Sequence, residues 1–269
     1  MYEFEYRRPA SVPEAVEMLR DREGAKALAG GMSLLSAMKL RLASPDVLVD
    51  LGRIEGMSGI RLEGAEVRIG AMTRHAQVAA SAEVGKAIPA LADLAGRIGD
   101  RQVRNRGTLG GSLANSDPAA CYPAAVLGLD ARIETDRRSI AAEAFFIDLF
   151  ETALQSGELI TAVRFPVPRS AAYVKFHQPA SRFALVGVFV AVTGSGEVRV
   201  AVTGAGPVVF RAASIESALA REFSAAAAGA AAVSAQGLNS DMHGDADYRA
   251  HLIPVLAARA VAQILERQG

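Results

Sequence analysis

Two glycine pairs stand out as the positions where backbone chemistry is possible: "AGGMSLL" at residues 29–35 and "GTLGGSLANSD" at residues 107–117. Glycine lets the chain adopt positive φ and lets a bulky ligand come close to the main chain. Amide N–H groups at such a turn, ahead of a helix start, present partial positive charge to an anion. The hydroxyls of Ser33, Thr108 and Ser112 add donors. Two such loops, far apart in sequence, could clamp a pyrophosphate from both sides. The plainer alternative is a pair of surface turns, because neither stretch fits the G-x-G-x-x-G or Gly-Lys-Thr fingerprints. On the residues alone both readings stand.

The bulk composition removes other chemistries. Lys plus Arg and Asp plus Glu number 29 each, so there is no excess of positive charge to neutralise a nucleic-acid backbone. The single cysteine, Cys121, excludes an internal disulfide, a cysteine zinc site and an iron–sulfur cluster held by this chain. His75, His177, His243 and His251 lack metal-ligand spacing. No apolar run is long enough to span a bilayer, and "MYEFEYRRPAS" lacks a signal-peptide core, which predicts a cytoplasmic protein without a transmembrane segment.

Isolated residues have bland readings. Cys121 beside Tyr122 reads as a small buried hydrophobe, with no neighbouring histidine to activate it. Arg101, Arg104 and Arg106 make either a solvated face or a contact to a pyrophosphate or a partner. His75 reads as the first turn of a helix, and Asp241 and His243 as parts of a polar loop.

The elements that must carry the two loops follow from periodicity. "YEFEY" predicts a strand, and Ser11 with Glu14 a capped helix after it. Residues 25–42 predict a strand, a tight Gly turn and a helix start; "DVLVDL" and "EVRIGAM" predict further strands. Helix is expected from Thr73 to Arg97 with a break near Pro89, then a helix running into a strand over "AACYPAAVLGLDARIET", then the strand "ELITAVRFPVP". Near residue 170 the pattern turns β-rich, with "AAYVKFHQ", "FALVGVFVAVTG", "EVRVAVTGAG" and "PVVFRA" separated by Gly turns. Beyond Ser214 it is Ala-rich and helical, ending in an amphipathic helix over 246–267. The class is α+β, with a C-terminal antiparallel sheet backed by helices.

Together, "AGGMSLL" and "QVRNRGTLGGSLANSDPAA" resemble the FAD-binding medium subunit of the molybdenum hydroxylases, a family that includes bacterial carbon monoxide dehydrogenase and the flavin domain of xanthine dehydrogenase. "FEYRRPASVPEAVEML", "RIGAMT" and "VKFHQPASRFALVGV" extend the resemblance over nearly the whole chain. It implies a two-part, vanillyl-alcohol-oxidase-type FAD-binding domain over 1–168, divided near residue 55 into subdomains 1–55 and 56–168. A C-terminal domain of the carbon monoxide dehydrogenase flavoprotein type would follow over 169–269.

The resemblance also implies a site. Ala27, Leu28, Ala29, Gly30, Gly31, Met32, Ser33 and Leu34 would wrap one side of the FAD pyrophosphate; Thr108, Leu109, Gly110, Gly111 and Ser112 would wrap the other. Ile98 and Ile160 match apolar positions near the flavin ring. Lys175 matches a lysine whose charge would favour the reduced, anionic flavin. The sequence departs from the family where many relatives carry an acid able to bond a ribose hydroxyl: here that position is Cys121, leaving Asn115, Ser116 or Asp117 to supply the contact. Met32 stands where a polar residue is common, and there is no motif for a second, NAD-type nucleotide.

The implied role is electron transfer with non-covalent FAD in a hetero-oligomer. A small partner would carry the iron–sulfur clusters and a large partner the molybdenum cofactor, with no nucleic acid and no transmembrane segment expected. A self-sufficient flavin reductase or oxidase is the competing expectation, with His177 or Tyr173 as its local proton donors. A scaffold that has lost its flavin is a third, prompted only by Cys121.

Overall fold

The computed structural model describes residues 1–267. The first fifty residues make a small parallel sheet. Strands β1 (Glu5–Arg7) and β2 (Ala25–Leu28) flank β3 (Val47–Asp50). Helix α1 (Val12–Arg20) joins the first two strands and α2 (Leu34–Lys39) the last two. Ser11 caps α1 by accepting from the Glu14 N–H, as its spacing predicts. Glu14, however, reaches back to the N–H of Ala10 rather than to that of Ser11.

A five-stranded antiparallel sheet follows, in the order β4 (Ile60–Glu63), β5 (Glu66–Gly70), β10 (Ile160–Pro166), β6 (Arg132–Thr135), β7 (Ser139–Ala141). Between β5 and β6 lie α3 (His75–Ala80), α4 (Ala82–Ala87), α5 (Pro89–Gly96), α6 (Arg101–Arg106), α7 (Leu109–Asn115) and α8 (Tyr122–Gly128). The helical stretch expected from Thr73 to Arg97 is thus three short helices, broken at Ser81 as well as before Pro89. The strand β4 was not foreseen; its residues are mostly exposed and short of apolar signal. A small hairpin, β8 (Phe146–Asp148) and β9 (Glu151–Thr152), precedes β10.

The C-terminal sheet runs β11 (Ser170–His177), β12 (Ala184–Val192), β13 (Val198–Thr203), β14 (Phe210–Arg211), all antiparallel. Helices α9 (Ala213–Arg221), α10 (Ala225–Ala230) and α11 (Ala246–Glu266) back it. Every residue of β12 but its last is buried, because both faces are covered. Val186, Val188 and Val190 lie in a core with Leu252, Ile253, Leu256 and Val261 of α11. On the other face, Phe189 and Ala191 join the main core with Tyr122 and Ala125 of α8. Gly128 permits this approach, since a Cβ there would lie 2.9 Å from the Phe189 ring.

The segment 118–121 is sewn to the C-terminal sheet. Pro118 O accepts from the Gly204 N–H (2.8 Å), and the single Thr203 hydroxyl proton is shared between Pro118 O (2.9 Å) and Ala120 O (2.7 Å). Ala119 O accepts from the Ala184 N–H at 3.4 Å. No helix among the described residues is long and apolar enough to cross a membrane.

Candidate functional site

The two glycine loops meet in space. A Cβ on Gly30 would lie 2.3 Å from Arg106 O and 2.8 Å from Gly107 Cα, and one on Gly111 would lie 3.3 Å from Ala29 Cβ. Only glycine allows these backbones to touch so closely.

They are not alike chemically. After β2, where Ala27 and Leu28 are half-buried, the chain turns at Ala29–Gly31, with Gly31 at φ +75°. Met32 and Ser33 are exposed, and Leu34 opens α2. Carbonyls here are used, Gly31 O by the Leu35 N–H and Ser33 O by the Ala37 N–H. The N–H groups of Gly30, Gly31, Met32 and Ser33 donate to no backbone carbonyl among the described residues. Four successive amides without a protein acceptor, on a turn with one residue at positive φ, are donors available to a phosphate oxygen.

In the second loop the amides are mostly spent. The stretch 101–117 is two short helices hinged at Gly107–Thr108, not an open turn. Asp100 caps α6 by accepting from the Val103 N–H, and Thr108 Oγ1 caps α7 by accepting from the Gly111 N–H. The N–H of Leu109 donates to Thr73 O, that of Gly110 to Ala71 O and that of Ser112 to Thr108 O, while the His75 N–H donates to Gly107 O. Gly110 is a packing glycine: a Cβ would lie 2.6 Å from Ala71 Cβ. This side therefore offers shape and the half-buried Ser112 and Asn115 side chains, rather than a row of free amides. The stretch Ala71–Thr73, whose carbonyls hold the loop, carries no glycine or charge pattern to advertise that role.

Leu109 is fully buried, and Ile160 is nearly so at the start of β10. Ile98 is half-buried in the turn after α5. Arg104 stabilises that turn, its Nη1 donating to Ile98 O (3.0 Å) and Gly99 O (3.1 Å), whereas Arg101 and Arg106 are exposed. Ser116 is buried at φ 46°, and Asp117 accepts from the Ala119 N–H through Oδ1.

Cys121 is 4% exposed, and its Sγ accepts from Lys175 Nζ at 3.5 Å. Lys175 Nζ also donates to Arg97 O (2.7 Å) and Arg182 O (2.9 Å). Tyr173 is buried, which keeps its hydroxyl from an outside substrate, and His177 is exposed at the end of β11. His243 and Asp241 lie in a polar loop, where Asp241 bonds the His243 N–H and Arg249.

A family model described as "FAD binding domain in molybdopterin dehydrogenase" matches residues 2–168. The chain belongs to this family. It is 36% identical to the nicotine 6-hydroxylase medium subunit of Paenarthrobacter nicotinovorans and 37% identical to the carbon monoxide dehydrogenase medium chain of Hydrogenophaga pseudoflava, each alignment covering 96% of both chains. The fold matches carbon monoxide dehydrogenase from Hydrogenophaga pseudoflava with a TM-score of 0.90 at 36% identity, over 99% of this chain and 98% of that one. Quinoline 2-oxidoreductase from Pseudomonas putida 86 matches with a TM-score of 0.88 at 29% identity, over 98% of each chain.

In this chain the unspent amides of the first loop are donors of the kind a phosphate oxygen accepts from. The loop stands against Gly107, and Gly107 stands against His75: a Cβ on Gly107 would lie 2.5 Å from His75 Nε2. Burial, then the charge of Arg104, pushes the His75 pKa down from 6.5 to about 4. The neutral imidazole therefore belongs to the folded state. Its contribution to stability is complete above pH 6.5 and drains away as pH falls from there through about 4. His75→Phe is expected to flatten the acid limb of a melting-temperature profile in that window.

Proposed function

We propose that this chain is the FAD-holding electron-transfer subunit of a molybdenum-containing hydroxylase or dehydrogenase complex. In this reading it takes electrons from a small iron–sulfur chain and passes them to an external acceptor, while a large molybdenum-cofactor chain oxidises the substrate. The carrying observation is the pair of abutting glycine loops, one with four unspent amides, in a chain that aligns end to end with medium subunits of such enzymes. The single cysteine supports the division of labour, since electrons must come from a chain with more thiolates.

FAD stores the electrons; this chain's residues bind and orient it. Residues 30–33 would hold the pyrophosphate, Thr108–Ser112 would form the opposite wall, and Ile98 and Ile160 would be apolar neighbours of the ring. The reading divides the chain at 168, with an FAD-binding part of two subdomains split near residue 55. A cytoplasmic location suits the free, buried thiol of Cys121.

The test is purification of the chain alone and with its co-expressed neighbours. The isolated chain is expected to bind one FAD and to turn over neither reduced nicotinamide nor organic substrates. The complex is expected to contain molybdenum and iron. Substrate turnover by the FAD-loaded chain alone would overturn the relay.

A further inference from the structure

An ammonium group has three protons to donate and no lone pair to accept with. At Lys175 all three directions end on protein acceptors: Arg97 O at 2.7 Å, Arg182 O at 2.9 Å and Cys121 Sγ at 3.5 Å. These acceptors come from three places. Arg97 caps the C-terminus of α5, where free carbonyls favour a cation. Arg182 lies in the β11–β12 connection at φ +61°, a conformation uncommon for a non-glycine residue. Cys121 closes the segment 118–121 that is sewn to the C-terminal sheet, and it caps no helix through its side chain. The turn 97–99 is gripped from its other side by Arg104, so three successive carbonyls each accept from a cation.

We propose that Lys175 is a positioning residue, an interdomain clamp that fixes the 97–99 turn and the 178–183 connection against each other, with the Cys121 thiol as its built-in third acceptor. Its donors are consumed by the protein, so it acts through the geometry of these two segments and not by donating to the flavin. This accounts for an uncharged acceptor at position 121. A thiol accepts from the clamp without adding a second charge to the seam. That the segments border FAD rests on the function proposed above; the clamp itself does not.

The primary measurement is amide hydrogen exchange on the FAD-free chain, with Lys175→Met, Lys175→Arg, Cys121→Val and Cys121→Ser. In Lys175→Met, exchange at residues 97–99 and 178–183 is expected to rise roughly tenfold, the scale of one lost charge-assisted hydrogen bond. Lys175→Arg keeps the charge, but a planar fork cannot meet three separated acceptors, and it is expected to loosen the same segments. Cys121→Ser keeps an acceptor and is expected to restore protection that Cys121→Val loses. In FAD-loaded protein, the visible circular dichroism of the flavin is expected to change in Lys175→Met and to survive in Cys121→Ser. Unchanged exchange in Lys175→Met overturns the clamp. If that variant does not fold, wild-type protection in Lys175→Arg overturns it equally. Failure of the parent chain to bind FAD strikes the functional reading and leaves the exchange result intact.

Discussion

Gly30→Val is expected to leave a folded chain that purifies without flavin. The Cβ of any side chain at this position falls 2.3 Å from Arg106 O, 2.8 Å from its carbonyl carbon and 2.8 Å from Gly107 Cα. These are backbone atoms, fixed by the α6 helix and by the bond from the His75 N–H to Gly107 O. They cannot swing aside as a side-chain tip could, so the two loops must part. The four free amides then lose their place relative to the opposite wall, and FAD affinity should fall at least ~100-fold, about 2.7 kcal/mol. Bound flavin per chain, read from absorbance after gel filtration, is the measurement. Gly85→Ala in α4 is the control: a Cβ there meets nothing within 4 Å, and FAD content should be unchanged. Stoichiometric FAD in Gly30→Val would remove these loops from the site.

The second large effect lies far from those loops, at Arg249. It is 2% exposed, and its guanidinium binds four acceptors: Leu185 O (2.8 Å), Gly204 O (2.9 Å), Gly244 O (3.2 Å) and Asp241 Oδ2 (2.8 Å). Arg249→Met keeps much of the apolar stem but leaves interior carbonyls without their donor, a loss of about 3 kcal/mol. Arg249→Lys should recover only part of this, because one ammonium cannot replace Nη1 on Leu185 O and Gly204 O together with Nη2 on Asp241 and Nε on Gly244 O. The midpoint of denaturant unfolding reports the loss directly. Gly204 also donates to Pro118 O, so faster FAD release should accompany the lower stability. An unshifted midpoint would mean that the buried fork contributes nothing net.

Most elements were readable from periodicity because their apolar faces repeat cleanly. The β12 run "ALVGVFVAV" announces a strand covered on both sides, and Ser11 announces the start of α1. The glycines of 30–31 and 110–111 advertised close approach of a ligand; what the structure places against them is protein, the Arg106–Gly107 backbone at Gly30, Ala29 at Gly111 and Ala71 at Gly110. What they could not reveal was which loop keeps its amides free, since that depends on Ala71 and Thr73 offering carbonyls from about forty residues away. β4 was missed because its alternation of Ile60 and Leu62 with Arg61 and Glu63 lasts only four residues, too short to stand out from a loop. Cys121 looked like a gap in a ribose contact. Its partner, Lys175, lies in β11, 54 residues further along the chain, and no local spacing connects the two.

The sewing of residues 118–121 to the C-terminal sheet bears on how such flavoproteins are recombined. The family match ends at residue 168, yet Pro118, Ala119 and Ala120 spend their carbonyls on Thr203, Gly204 and Ala184. The boundary drawn along the chain is therefore not the boundary drawn by hydrogen bonds. A graft cut at 168 would pair one parent's carbonyls with another parent's donors. The transferable unit is the C-terminal sheet together with the four residues it holds, exchanged as a matched set.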